Sequence, residues 1–165
     1  MDVVNPLIEV TELLIEAGGE ALKSCYQCGL CTATCPWGLV RSFLTRRLIH
    51  ESQIGLVEIE EAWLCVTCGA CVERCPRGVE IIDIFRAIRR IGIKWEVIPE
   101  ELKTVITGIG TLGNPWGAKR EKRADWAKEL GVKTFTADTE FLYFPCCTPI
   151  YDMKTRRIAL QRLIS

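Results

Sequence analysis

Cys25, Cys28, Cys31 and Cys35 precede Pro36, and Cys65, Cys68, Cys71 and Cys75 precede Pro76, in two frames of the form C-x2-C-x2-C-x3-C-P. Thiolates at this spacing suit cubane [4Fe-4S] clusters, and where two such frames occur the fourth cysteine of each serves the other cluster. The spacing therefore predicts cluster 1 on Cys25, Cys28, Cys31 and Cys75, and cluster 2 on Cys65, Cys68, Cys71 and Cys35. The chemistry is one-electron transfer: thiolates hold iron, while amides and burial set the potential.

Other uses of these residues fit less well. Two four-cysteine zinc sites would normally be built from separated C-x2-C pairs, not from a triplet followed by C-P. A disulfide framework belongs to small oxidised domains, and the opening Met1-Asp2-Val3-Val4-Asn5-Pro6 has neither the basic region nor the cleavage site of a secretory leader. Rieske ligation needs two histidines, and His50 is the only one.

To wrap a cubane, each loop must turn tightly. Gly29 and Gly69 stand where the turn is sharpest, so the sequence predicts positive φ there, with amide N–H groups approaching the cluster. Pro36 and Pro76 fix φ after the fourth cysteine and suit the first turn of a helix. The frames form an internal repeat at an offset of 40 residues, which extends to Gly38/Gly78, Leu44/Ile84, Arg46/Arg86 and Leu48/Ile88.

Apolar periodicity supplies the supporting helices. Leu7, Val10, Leu13 and Leu14 share a face in a helix predicted over 6–17, with Asn5 as N-cap and Gly18-Gly19 as stop. Leu39, Phe43, Leu44 and Leu48 predict a second helix to about Glu51. Residues 57–64 predict a short third, and Ile81, Ile84, Phe85, Ile88 and Ile91 a fourth that ends near Gly92. The arginines between these stripes have two readings: solvated helix faces, or cations that raise a cluster's potential or meet an acidic redox partner.

Farther on, Pro99-Glu100-Glu101 opens a helix to about Ile109, and residues 110–117 are rich in turn formers. Lys119–Leu130 reads as a helix stopped by Gly131, with a basic patch of the solvated kind. Residues 141–144 read as a strand, and 152–164 as a helix with Ile158, Leu160, Leu163 and Ile164 apolar.

The expected fold class is mainly α. A two-cluster helical ferredoxin domain over 1–95 is followed by a helical connector over 96–138 and the opening strand, turn and helix of an α/β domain over 139–165. Such an opening cannot bury its own apolar faces, so the chain reads as truncated. With 165 residues, 48% of them hydrophobic, a modest core can form. The formal net charge is zero, from 21 basic and 21 acidic residues, which gives no global field for nucleic acid. No apolar run approaches the roughly eighteen residues of a membrane span. A cytoplasmic location is expected, with any membrane role peripheral to the cytoplasmic face and mediated by a partner.

The two frames, the Gly113-Asn114-Pro115-Trp116-Gly117 segment with Arg123 and Trp126, and the run Cys147-Thr148-Pro149-Ile150-Tyr151-Asp152 together resemble the iron-sulfur subunits of the heterodisulfide reductase class. The resemblance is strongest to the fused type, in which a two-cluster domain precedes a CCG domain. The catalytic subunit of membrane-bound heterodisulfide reductase and its relative in the sulfite-reduction-associated complex have that layout. It implies electron relay between a redox partner, either a membrane b-type cytochrome subunit or a flavoprotein, and a thiol/disulfide-reducing CCG site with a noncubane [4Fe-4S] cluster. Cys147 matches a cysteine of that site, Cys146 stands where glycine is usual, and the completing Cys-Cys-Gly and Cys-x-x-Cys elements are absent after Cys147.

Two other readings use the same residues. The iron-sulfur subunits of flavin-dependent glycolate, lactate or anaerobic glycerol-3-phosphate dehydrogenases, which pass electrons to quinone, share the frames and the CCG layout. An assembly or interaction module with structural clusters would need the frames alone.

Overall fold

In a computed structural model, which describes residues 5–131 and 135–164, the stripe Ile81, Ile84, Phe85, Ile88 and Ile91 lies buried along one face of a 14-residue helix. Helices of the first unit gather around it. They are α1 (Ile8–Leu14), α2 (Leu30–Thr34), α3 (Thr45–Gln53), α4 (Ile59–Ala62), α5 (Ala70–Glu73) and the long helix itself, α6 (Ile81–Lys94). The chain divides after Pro99 into two compact units, and among the described residues neither unit contains a strand.

Helix α6 packs against α1, α4, α5 and the π-type turn Ile15–Gly19. Leu14, Leu22, Phe43, Leu48 and Ile49 complete the core, with the Phe43 and Phe85 rings 6.0 Å apart. Each fully buried aliphatic or aromatic side chain stabilises such a core by about 1.5–3 kcal/mol. The short helices α2 and α5, each carrying the third cysteine of its frame, pack on each other.

Several boundaries differ from the sequence expectation for identifiable reasons. Helix α1 begins after Leu7 and not at Pro6, because the Leu7 amide is held by the Ile54 carbonyl at 2.9 Å. Its α geometry ends at Leu14, and the chain breaks helical geometry at Gly18. Leu39 is not on a helix stripe: Pro36–Leu39 is a 3₁₀ turn, Leu39 is 91% exposed, and α3 starts only at Thr45. Gly92 does not end α6, which continues to Lys94. A Cβ at Gly92 would lie 2.5 Å from Ile59 Cγ2, so this glycine marks where α6 and α4 approach closely.

The second unit holds α7 (Glu100–Leu112), a 3₁₀ helix at Arg120–Leu130 closed by left-handed Gly131, α8 (Cys147–Tyr151) and α9 (Met153–Ile164). The loop after α7 is organised by buried Asn114. Its amide donates to the Leu112 and Ala118 carbonyls, and its Oδ1 accepts from the Trp116 and Ala118 amides. Asp152 caps α9 by accepting from the Thr155 amide at 2.9 Å, and bonding from the Thr155 hydroxyl and amide holds its carboxyl below the usual range.

Residues 141–144 do not form the expected strand. They are exposed and carry no strand assignment, and a strand exists only where a second strand pairs with it. The strand that was to open an α/β unit is therefore missing from the structure. Residues 1–4 and the side chains of Leu160, Leu163 and Ile164 lie outside the described residues.

Candidate metal centres

Each cysteine frame uses the same backbone. Gly29 (φ 88°) and Gly69 (φ 81°) adopt the left-handed conformation and start α2 and α5. Two further residues do so without being glycine: Gln27 at φ 66° and Thr67 at φ 52°. Cys28 and Cys68 thus each sit between two left-handed residues, and both are exposed at the loop tips. Cys31 and Cys71, early in α2 and α5, are buried. After the fourth cysteine the frames part: Pro36 opens a 3₁₀ turn, whereas Pro76 lies in a turn that leads directly to α6.

The cysteines line two cavities. One has Cys25, Cys28, Cys31 and Cys75 on its walls, with Gln27, Arg46, Ile49 and Val79. The other has Cys35, Cys65, Cys68 and Cys71, with Trp37, Phe43, Ile82 and Phe85. Each cavity therefore takes three cysteines from one frame and the fourth from the other. Among the described residues no three His, Cys, Asp or Glu side chains converge where a single metal ion could sit. Four soft sulfur donors converging on one cavity fit an iron-sulfur cluster.

Burial governs the thiols. It pushes Cys71 up to about 11, with the neighbouring Cys65 adding to the effect. Burial also raises Cys31 and Cys65, opposed at Cys31 by hydrogen bonds from Thr32 and at Cys65 by the Thr67 amide and the Arg89 charge. Thiols held protonated in this way bind iron only by releasing protons. Among the backbone groups, the Val79 amide donates to Cys75 Sγ at 3.4 Å.

The arginines take separate roles. Arg46 lines the first cavity. Arg89 donates to the Ala62 and Cys65 carbonyls and lies 5.3 Å over the Trp63 ring. Arg47 pairs with Glu51 and Glu61, and Arg86 with Asp83. Sequence reasoning did not find Gln27, Thr67, Trp37 or Phe43 as site residues. Only the 40-residue register, which equates Gln27 with Thr67, pointed to any of them.

Cys146 and Cys147 are the only cysteines of the second unit. Cys146 is exposed just before α8, and Cys147 is half-buried as its first residue.

A family profile described as a 4Fe-4S dicluster domain matches residues 24–80. The C-type iron-sulfur subunit of CoB–CoM heterodisulfide reductase from Methanopyrus kandleri is 41% identical over 97 residues, 56% of this chain and 47% of that protein. The C2 subunit of the H2/formate:CoB–CoM heterodisulfide,ferredoxin reductase from Methanococcus maripaludis is 40% identical over 92 residues, covering 53% and 50%. These matches span about half the length of each of those two relatives. The C-type subunit of the ferredoxin/F420H2-dependent CoB–CoM heterodisulfide reductase from Methanosarcina acetivorans is 39% identical over 124 residues, 72% of this chain and 75% of the relative. The dicluster domain accounts for two [4Fe-4S] clusters. No helix among the described residues is long and apolar enough to cross a membrane.

Proposed function

Because the chain belongs to the C-type iron-sulfur subunits of heterodisulfide reductases, we propose that it relays electrons between a redox partner subunit and a thiol/disulfide-reducing CCG site. Cys25, Cys28, Cys31 and Cys75 hold cluster 1, and Cys65, Cys68, Cys71 and Cys35 hold cluster 2. The observation that carries this reading is the pair of four-cysteine cavities built into one helical core. When bound, each [4Fe-4S] cluster accepts and passes on a single electron.

The chain's own residues hold and shield. Left-handed Gly29 and Gly69 let the loops curl around the clusters. Cys31 and Cys71 carry ligands inward from short helices, and Phe43, Phe85 and Ile49 exclude water behind them. The two-cluster domain is placed at 1–95, the connector at 96–138, and the segment around Cys146 and Cys147 at 139–165. Partners are a b-type cytochrome or flavoprotein subunit, and the location is the cytoplasm or the cytoplasmic face of a membrane. The relatives' names favour this over service to a flavin-dependent hydroxyacid dehydrogenase.

Anaerobic iron and sulfide analysis with EPR of the reduced protein tests the reading. About eight iron and eight sulfide per chain, with interacting reduced signals, is the expected result. Zinc, or iron for one cluster only, overturns it.

A further inference from the structure

The two cavities share a backbone but not their donors, and the difference is concentrated at one of them. On the Cys25/Cys28/Cys31/Cys75 side Gln27 Nε2 lies 3.6 Å from Cys25 Sγ and the Val79 amide 3.4 Å from Cys75 Sγ. Tyr26 and Thr32 each place a hydroxyl next to a further thiol and act on it electrostatically, Tyr26 on Cys28 and Thr32 on Cys31. Three of these groups are side chains. At the 40-residue offset their counterparts are Val66 for Tyr26, Thr67 for Gln27 and Val72 for Thr32. Two of the three side chains can donate nothing, and the Thr67 contribution comes from its backbone amide on Cys65.

The orientation of Gln27 is determined by its surroundings. Gln53 Nε2 donates to the Leu22 and Cys25 carbonyls at 2.8 and 2.9 Å, so Gln53 Oε1 must be the atom that faces Gln27. Gln27 Nε2 donates to it at 2.9 Å and so also faces Cys25 Sγ. Gln27 Oε1 is meanwhile buried without a hydrogen-bond partner, and the residue holds φ 66°. An unpaired buried acceptor and a left-handed non-glycine each destabilise the fold. Thr32 is similarly set: its Oγ1 accepts from the Arg46 amide at 2.8 Å, which leaves the hydroxyl proton for Cys31.

Hydrogen bonds to cluster sulfurs favour the more negative, reduced form and raise its potential. The nearby charges do not cancel this difference, since the first cavity has Arg46 on its wall and Arg77 near Tyr26, against Arg89 near Cys65 at the second. The second cavity is otherwise walled by Trp37, Phe43 and Phe85. We propose that Gln27, supported by Thr32 and Tyr26, sets the potential of the Cys25/Cys28/Cys31/Cys75 cluster above that of its twin, so that an electron entering the domain settles there. Gln27 acts on the ligand sulfur and is a positioning and tuning residue. The proposal rests on the two-cluster reading above.

The test is an EPR-monitored redox titration of the full chain carrying both clusters, comparing the native sequence with Gln27→Leu, Thr32→Val and the conservative Thr32→Ser. Iron content near eight per chain, the two-cubane expectation, is checked first, and a shortfall in the native protein counts against the two-cluster reading and not against the tuning. The native protein is expected to show two one-electron steps. In Gln27→Leu the higher step moves down by at least tenfold in the reduced-to-oxidised ratio at fixed potential, about 59 mV for a one-electron couple, while the lower step stays. Thr32→Val shifts the same step in the same direction, and Thr32→Ser restores it. If Gln27→Leu does not load iron, the threonine pair decides alone. Coincident native steps, a shift of the lower step, or no shift in any loaded variant would overturn the proposal.

Discussion

The two cysteine frames are near copies at the level of the loop and strangers immediately beyond it. Gln27 and Gly29 have the same left-handed geometry as Thr67 and Gly69, and Cys31 and Cys71 are equally buried. After Pro36 the chain makes a 3₁₀ turn, leaves Leu39 and Val40 exposed, and reaches the nine-residue α3 only at Thr45. After Pro76 it enters α6, the central helix of the core, within five residues. Three closely spaced thiolates and a tight turn constrain the loop, whereas the flanks answer only to packing. One flank could therefore become the central helix of the core, while the other reaches its core residues Leu48 and Ile49 only after an irregular stretch.

Exchange of the fourth cysteine between frames gives the largest expected effect. Cys75→Ala should cost the cluster shared with Cys25, Cys28 and Cys31, so that about four of eight iron atoms are lost and the step sensitive to Gln27→Leu disappears from the titration. Cys35→Ala should remove the other step. Loss of the opposite step in either variant would mean that each frame serves its own cluster.

The repeat pair Leu44 and Ile84 compares the flanks directly. Ile84 is 0% exposed in the core and Leu44 is 40% exposed ahead of α3. Ile84→Ala should destabilise by about 2–5 kcal/mol and Leu44→Ala by less than half of that. Thermal or denaturant unfolding of the iron-loaded protein measures both, and equal losses would contradict the asymmetry. Glycines offer a smaller contrast. Gly92→Ala brings a Cβ against Ile59 and the Val97 carbonyl and should cost about 1–3 kcal/mol. Gly38→Ala meets nothing within 4 Å and should change little.

What was legible in the sequence follows the same division. The cysteine spacing, the turn glycines and the α6 stripe are local or strictly periodic signals; Gly29 and Gly69 take positive φ, the α6 stripe is buried, and four cysteines line each of two cavities. Positive φ at Gln27 and Thr67 carried no such signal, because neither residue is a usual left-handed type and only the loop's closure forces it. The stripe that began at Leu39 had helical spacing but crossed the turn at Val40 and Arg41 and the irregular residues 42–44, which separate Leu39 from α3. Gly92 read as a stop because its close contacts with Ile59 and Val97 come from elsewhere in the chain. Residues 141–144 have strand composition, yet a strand is a property of two segments, and a second one is missing among the described residues.

Another repeat pair, Glu51 and Ile91, ties the asymmetry to pH. Ile91 is buried on α6, while Glu51 near the end of α3 is half-buried, with Oε2 lacking a hydrogen-bond partner and Arg47 3.4 Å from Oε1. Burial pushes the Glu51 carboxyl above its ordinary range, with Arg47 opposing the rise and Glu58 and Glu61 adding to it. A carboxyl raised on folding contributes stability that is fully present below its unfolded value of about 4.3 and is lost as pH climbs through the folded value. Glu51→Gln, which cannot ionise, escapes that loss. The melting temperature of the iron-loaded variant should therefore gain on that of the native protein as pH rises from about 5 to about 8, by a small amount because water reaches the group. A gap that widened toward acid instead would show that the Arg47 pair, and not burial, governs Glu51, and that this position has become a stabilising ion pair where its repeat partner is core.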